Sequence, residues 1–491
     1  MGCPDRSRGQ RQTDFIETTR MFGVSYIRIR KHYLHLPYLV LGTLEFAALF
    51  STFYLLGFVL DQVGAADASL RTSAGAALLF ALVMSCGTLA MGVYFAMVRE
   101  GFASMFFRTL VAFCFLGGLA LTILYMLLPN VSPGSDKLFW AVLLAILLVT
   151  LIRQIFLKVV DSDQLARRVV VFGGGEFAEA LLTDYERNLR ASGIRIMGCV
   201  PDSADPRVDA RHHLPAPEDL YQFCRQNRIS EIVIAQQERR KSEGGRLPVE
   251  ALMECKLRGI AVTDAVAFYE RELKKARLEL VHPSWILFSD GFKASRSRDL
   301  TKRVVDLVIS LTLAVIMAPF MLLTALAIVL ETGRPIFYSQ DRVGARGQVF
   351  RIYKFRSMRQ DAEKDGQARW AAQNDSRITR VGAFIRNTRL DELPQLWNVI
   401  KGEMSFVGPR PERPEFVEQL KEQVPFYNTR HYVKPGLMGW AQLNYPYGAS
   451  IEDARGKLEY DLYYSKNHSI VMDFLIMIQT VEVVLLGKGV R

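Results

Sequence analysis

The chain has 491 residues, half of them hydrophobic, with a mean hydropathy of +0.12 and a formal net charge of +11. That apolarity excludes an ordinary soluble enzyme of this size, and the length suffices for three or four domains. The basic excess is spread over the flanks of apolar segments and the C-terminal half, which fits anionic lipid headgroups and phosphate substrates and speaks against nucleic acid as a partner. Residues 1–35 carry Arg6, Arg8 and Arg11 with no apolar core, so they read as a cytoplasmic segment and not as a cleaved signal. Four apolar stretches follow within residues 36–158, at 36–60, 74–98, 106–128 and 138–157. Each has about the 20 residues that cross a bilayer core. Arg28, Arg30 and Lys31 precede the first; Arg153, Lys158, Arg167 and Arg168 follow the fourth. The positive-inside bias therefore predicts four transmembrane helices with both ends in the cytoplasm. Six cysteines, Cys3, Cys86, Cys114, Cys199, Cys224 and Cys255, form no C-x-x-C pair and read as thiols of a reducing compartment.

Residues 167–275 change character. A buried-strand run at 168–172 leads into Gly173-Gly174-Gly175-Glu176-Phe177-Ala178, which fits G-x-G-x-x-A opening a helix. Asp202, just past the next predicted strand, stands where a ribose-binding acid would. Strands and helices then alternate, which predicts a Rossmann-like α/β module. Gly173, Gly175 and Asp202 are its candidate nucleotide contacts. The same pattern fits a module that binds nothing, with Asp202 a turn residue. Residues 276–298 read as a linker.

The next segment, 299–331, is apolar over 304–330 and long enough to span. Its flanks disagree with a crossing: Arg296, Arg298, Lys302 and Arg303 lie before it, Arg334, Arg342, Arg346, Arg351 and Lys354 after it. One cluster would have to leave the cytoplasm. Pro319 removes a helix hydrogen bond near the middle, so the segment is predicted to enter the membrane, bend at Pro319 and return. Residues 332–491 would form a compact α/β domain on the cytoplasmic face.

The most informative string is RNTRLDELPQLWNVIKGEMSFVGPRP at 386–411. It sets two adjacent carboxylates, Asp391 and Glu392, among Arg386, Arg389, Lys401 and Arg410. A carboxylate is useful beside a phosphate when cations or a metal cancel the repulsion and its oxygen attacks phosphorus. Pro394 in a first helical turn would place the pair at a helix N-terminus, where the dipole favours negative charge. Lys354 and Arg356 in KFRSM, two apart on a strand, would face one side and grip a diphosphate.

With KFRSM at 354–358 and KPGLMGWAQLNY at 434–445, this string resembles the bacterial polyprenyl-phosphate phosphoglycosyl transferases, which join a sugar-1-phosphate to a polyprenyl phosphate. The resemblance runs from about residue 299 to the C-terminus, and the upstream half is similar to the long forms that add four membrane helices and a Rossmann-like module. Relatives usually carry Ser-Pro at the membrane bend; here it is Ala318-Pro319. The resemblance implies a UDP-sugar donor, undecaprenyl phosphate as acceptor, loss of UMP, a bacterial inner-membrane location and a possible homodimer. It makes Asp391 the nucleophile and Glu392 its acidic neighbour. It gives Mg²⁺ as cofactor, held by Asp391, Glu392 or Asp473. Arg386 and Arg410 become phosphate or nucleotide contacts, with Arg389 pointing to solvent. The competing reading is a membrane scaffold or nucleotide sensor without transferase activity, which an intact set of these motifs disfavours. A sugar dehydratase or epimerase is excluded, since none of the 18 tyrosines has a lysine four residues on.

Overall fold

The computed structural model describes residues 26–29, 32–62, 74–91, 101–127, 135–160, 167–186, 194–201, 207–236, 247–281, 283–292, 295–359, 377–446, 448 and 450–485. They divide at Leu273/Lys274 into two compact units.

The first unit opens with a short antiparallel pair, β1 (Tyr26–Ile29) and β2 (His32–His35), and then apolar helices. These are α1 (Leu36–Gln62), α2 (Ala74–Ala90), α3 and α4 (Ser135–Val160). Helix α3 runs from Gly101–Val111 through a π turn, Ala112–Gly117, into Gly118–Leu127. Large apolar side chains such as Leu55, Phe58, Phe115, Leu119 and Leu147 are more than half exposed on these helices, the pattern of surfaces made for lipid. The interior holds the opposite. Arg153 of α4 is fully buried and grips Glu45 of α1 with two nitrogens, at 2.6 and 2.7 Å, while a third donates to the Thr109 hydroxyl of α3 at 2.6 Å. Arg153 is therefore no part of the basic flank that the sequence suggested. A fully buried charge is tolerated when it is paired, and Glu45 supplies the partner.

The same unit contains a four-stranded parallel sheet in the order β4-β3-β5-β6, from β3 (Arg167–Phe172), β4 (Ile194–Val200), β5 (Glu231–Ile234) and β6 (Ala261–Asp264). Helices α5 (Glu176–Asp184), α6 (Leu220–Gln226), α7 (Val249–Leu257) and α8 (Ala265–Glu272) are its crossovers and closing helix. Val170, Val200, Leu220, Ile232 and Leu252 fill one side of the sheet. This is the Rossmann-like half-fold that the alternating pattern predicts.

The second unit begins earlier than the sequence suggested. Residues 276–298 look like a linker, yet Ala276, Leu278 and Val281 are no more than 5% exposed and share a core with Phe416, Val417, Leu420, Leu458 and Leu462. The strap is also hydrogen-bonded into place. Ala276 N–H donates to the Glu459 carbonyl at 2.9 Å, Leu278 N–H to the Glu459 carboxylate at 3.2 Å, and Trp440 Nε1 to the Lys274 carbonyl at 2.9 Å. Its charged neighbours hid a periodicity too short to stand out: four apolar residues, Ala276, Leu278, Leu280 and Val281, among Lys274, Lys275, Arg277 and Glu279.

Helix α9 (Arg296–Thr332) follows, 37 residues long and continuous through Pro319. A straight helix of that length would reach about 55 Å, well beyond a bilayer core of ~30 Å. The helix is not interrupted at the proline, where the sequence reading places the bend. What the helix shows instead is attachment at both ends to one domain. Near its start, Lys302 donates to the Val407 carbonyl, Arg303 caps the Val399 and Ile400 carbonyls, and Asp306 accepts from Ser405 Oγ and Phe406 N–H. Near its end, Ile328 packs with Phe355 and Ile385, and Glu331 accepts from the Arg380 and Val381 amides. Ile309, Leu313, Ala314, Met317 and Met321 line the stripe between, against the domain core. The opposite face, including Val308, Val315, Leu322, Leu326 and Leu330, is apolar and exposed.

The remaining elements complete the second unit. A hairpin of β7 (Phe337–Val343) and β8 (Val349–Phe355) precedes α10 (Arg380–Asn387) and α11 (Leu396–Lys401). The parallel pair β9 (Ser405–Val407) and β10 (Gly436–Met438) comes next in space, flanked by α12 (Pro414–Gln423), α13 (Trp440–Asn444), α14 (Ile451–Asn467) and α15 (Ile470–Leu485).

Candidate active site

The pair Asp391–Glu392 lies in a 3-10 turn, Leu390–Gln395, that contains Pro394 and runs into α11. The sequence placed the pair at the start of an α-helix; it sits in the tighter turn that precedes one. Arg389, at φ 61°, is a non-glycine residue in the left-handed region and redirects the chain from α10 into this turn. Such a conformation persists only where the surroundings fix it, and it aims the turn at β8.

There Lys354 Nζ donates to Glu392 Oε1 at 2.7 Å, and Arg410 Nη2 reaches the same oxygen at 3.1 Å. Both carboxylates are buried, each 8% exposed. Burial alone would raise Glu392, but Lys354 and Arg410 together hold its carboxyl well below the usual carboxylate range, so it stays ionised. Lys354 is lowered by burial, an effect that the Glu392 charge partly offsets. Asp391 differs. Among the described residues its carboxylate accepts no hydrogen bond, and burial raises its pKa, with Glu392 adding to the rise and Lys354, Arg386 and Arg389 opposing it. The dyad thus divides into one clamped carboxylate and one that is desolvated and unclamped. Sequence reasoning sent Arg389 to solvent; it is half-buried, and its charge acts on both carboxylates.

Arg410 comes from a tightly seated loop. The Gly408 amide donates to the Met438 carbonyl at 2.8 Å, and the Gly436 amide to the Pro409 carbonyl at 2.9 Å. A Cβ at Gly408 would collide with the Lys434 carbonyl, and one at Gly436 with Gly408 itself, so only glycines let the GPRP and KPG segments abut.

Three predicted residues are used otherwise. Arg356 lies just past the end of β8, and its Nη2 caps the C-terminus of α9 through the Thr332 and Gly333 carbonyls, at 3.1 and 2.7 Å. It does not face Lys354's partner, because the strand alternation ends one residue before it. Asp473 is bound elsewhere too: Lys302 Nζ contacts its Oδ2 at 2.5 Å, and Tyr464 Oη donates to its Oδ1 at 2.6 Å. No three acidic, histidine or cysteine residues converge among the described residues, so Asp473 does not join Asp391 and Glu392 in a metal cage. The adjacent pair Asp391 and Glu392 fits the way Mg²⁺ is usually held, by one or two carboxylates completed with substrate phosphate oxygens. Pro319 is helical and its ring lies on the exposed side of α9.

In the Rossmann-like module, Gly173 (φ 128°) ends the central strand β3, where a Cβ would press on the Ala235 carbonyl at 2.7 Å. Gly175 caps α5, whose first turn already holds Glu176 and Glu179. Those carboxylates satisfy the helix dipole and repel a diphosphate. Asp202 lies outside the described residues.

Residues 297–487 match the bacterial sugar transferase family, and residues 89–243 match a family described as a CoA-binding domain. The chain is 47% identical over 190 residues to an Aeromonas hydrophila UDP-N-acetylgalactosamine-undecaprenyl-phosphate N-acetylgalactosaminephosphotransferase, covering 39% of this chain and 45% of that one. It is 42% identical over 194 residues to exopolysaccharide production protein PSS of Rhizobium leguminosarum bv. phaseoli, covering 38% of this chain and 97% of that one. A UDP-glucose:undecaprenyl-phosphate glucose-1-phosphate transferase of Escherichia coli K12 is 32% identical over 321 residues, 64% of this chain and 67% of its own. The chain belongs to the bacterial sugar transferase family. The resemblance seen in the motifs at 354–358, 386–411 and 434–445 is borne out, and the transferase is of the long form, with a further domain ahead of its catalytic region. Its class is that of the phosphoglycosyl transferases.

Proposed function

We propose that the transferase moves a hexose-1-phosphate from a UDP-sugar to undecaprenyl phosphate at the cytoplasmic face of the inner membrane, with Asp391 as nucleophile. The observation that carries this is the division of the dyad: Glu392 is clamped by Lys354 and Arg410, and Asp391 is left desolvated beside it. An Asp391 oxygen would attack the sugar-bearing phosphorus, forming an aspartyl–phosphorus bond as the bond to UMP breaks, and UMP leaves with the electron pair. A phosphate oxygen of the lipid then attacks the same phosphorus and releases Asp391, giving undecaprenyl-diphosphate-sugar. Lys354, Arg386 and Arg410 reduce the repulsion between the substrate phosphates and the two carboxylates. Bound at the pair, Mg²⁺ would add charge neutralisation of the diphosphate. One site serving a soluble donor and a bilayer-held acceptor in turn splits a hard displacement into two. Incubation with UDP-sugars alone (glucose, galactose and N-acetylgalactosamine forms) should release one equivalent of UMP per enzyme and add the matching mass to the peptide containing Asp391. Strict dependence of UMP release on the lipid would sink the covalent step.

The re-entrant placement of α9 is part of the same proposal. Its support is that side chains at 302–306 and at 328–331 are both fastened to one extramembrane domain, while the apolar face between them stays uncovered. Single cysteines at Arg296→Cys and Arg346→Cys in a cysteine-less background should both resist a membrane-impermeant maleimide added outside spheroplasts. Labelling of one site alone would show that the helix crosses.

A further inference from the structure

We infer that Arg430 and Asp461 are positioning residues for Arg410, and through it for the Glu392 carboxylate beside Asp391. The inference rests on the transfer reading above. Arg430 lies in the 3-10 segment Tyr427–Tyr432 and is 6% exposed; Asp461, on α14, is 1% exposed. The Arg430 guanidinium makes three separate connections. Nη2 donates to the Arg410 carbonyl at 2.9 Å and sits 2.7 Å from Asp461 Oδ2, and Nη1 donates to the Tyr427 hydroxyl at 2.7 Å. Among the described residues neither side chain of the pair meets the dyad, so neither is a catalytic residue.

The reason for assigning them a role is what they hold. Arg410 is flanked by Pro409 and Pro411, whose rings fix φ on both sides. Each carbonyl of this tripeptide is then pinned: Pro409 by the Gly436 amide, Pro411 by Arg342 Nη1, and Arg410 by Arg430. With the peptide plane after Arg410 fixed, the Cα–Cβ direction of Arg410 is fixed as well. That direction carries its guanidinium to Glu392 Oε1. Arg410 is 39% exposed at its side chain, so without such a hold it would sample several rotamers in solvent. A buried Arg–Asp pair is a costly way to stabilise a core, since packed apolar residues do so as well or better. Its retention is explained when its product is orientation. Glu459, two residues before Asp461 on α14, is the residue to which the strap at 274–278 is bonded, so this stretch of helix is itself anchored.

The test is a double-mutant cycle on the full chain in nanodiscs, with UDP-glucose and UDP-N-acetylgalactosamine as donors and undecaprenyl phosphate as acceptor. Asp461→Asn keeps shape and an acceptor; Arg430→Lys keeps charge but cannot bridge carbonyl, carboxylate and hydroxyl together. Each should lower kcat/KM for the donor, per folded enzyme, by about tenfold to a hundredfold, beyond any fall in melting temperature that disturbing a buried pair brings. On an Arg410→Ala background either should add less than about twofold, because the group being positioned is gone. Losses that multiply on that background would overturn the inference. So would a lowered melting temperature with unchanged rates per folded enzyme, which would make the pair structural only. Wild-type enzyme that releases no UMP in this assay would overturn the transfer reading instead.

Discussion

Replacing Asp391 by asparagine is expected to cut UMP release from a UDP-sugar by at least about a thousandfold, the scale seen when a nucleophile is removed. Asparagine preserves volume and hydrogen-bonding capacity but carries no anionic oxygen to form a bond to phosphorus. The surroundings predict little structural loss, because Asp391 accepts no hydrogen bond among the described residues and its neighbours Lys354 and Arg410 keep Glu392 as partner. An unchanged melting temperature with loss of both UMP release and the mass increase is the expected pattern. Since burial raises the Asp391 pKa, the wild-type rate should fall on acidification at a pH above the ordinary aspartate value of ~3.9. Near wild-type turnover by Asp391→Asn would remove it from the nucleophile's role.

Asp473→Ala should act by a different route. The carboxylate ties Lys302 of α9 to Tyr464 of α14, and its side chain is only 8% exposed. Truncating one member of such a pair leaves the other charge buried, a loss of about 3 kcal/mol at the lower end for pairs of this kind. For a unit of this size that corresponds to a fall in melting temperature of about 6–12 °C. The Mg²⁺ concentration needed for half-maximal rate should not move. If the variant instead kept its melting temperature and needed tenfold more Mg²⁺, Asp473 would be a ligand after all and the tether assignment would fail.

These two acids show where sequence reading succeeds and where it stops. Asp391 sits inside a contiguous string whose neighbours, Glu392, Arg386 and Arg389, act on it in space as well, so a motif carries most of its chemistry. Asp473 meets its partner 171 residues away, and Arg153 meets Glu45 across 108. No spacing rule reports such pairs; a lone Asp in an apolar helix looks like a ligand, and a lone Arg near a helix end looks like a topogenic charge. Arg356 was misread for a local reason, the end of β8 one residue before it. The apolar helices and the alternating α/β module were legible because composition and period alone define them. The attachment of α9 was not, since Lys302, Arg303 and Asp306 read as mere flank and their purpose lies in the carbonyls and amides that they meet.

The strap at 274–281 also sets where this protein can be cut. Family similarity begins at residue 297, but the material that closes the core around Phe416, Leu420 and Leu462 begins 23 residues earlier, with Lys274 holding Trp440 through its backbone. A graft or truncation made at the similarity boundary would open a hydrophobic face and strand the Glu459 carboxylate. The natural joint is the peptide after Leu273. Exchanging the upstream module among relatives at that point keeps the strap's contacts with Trp440, Glu459 and the core around Phe416, and the strap then travels as the first structural element of the transferase.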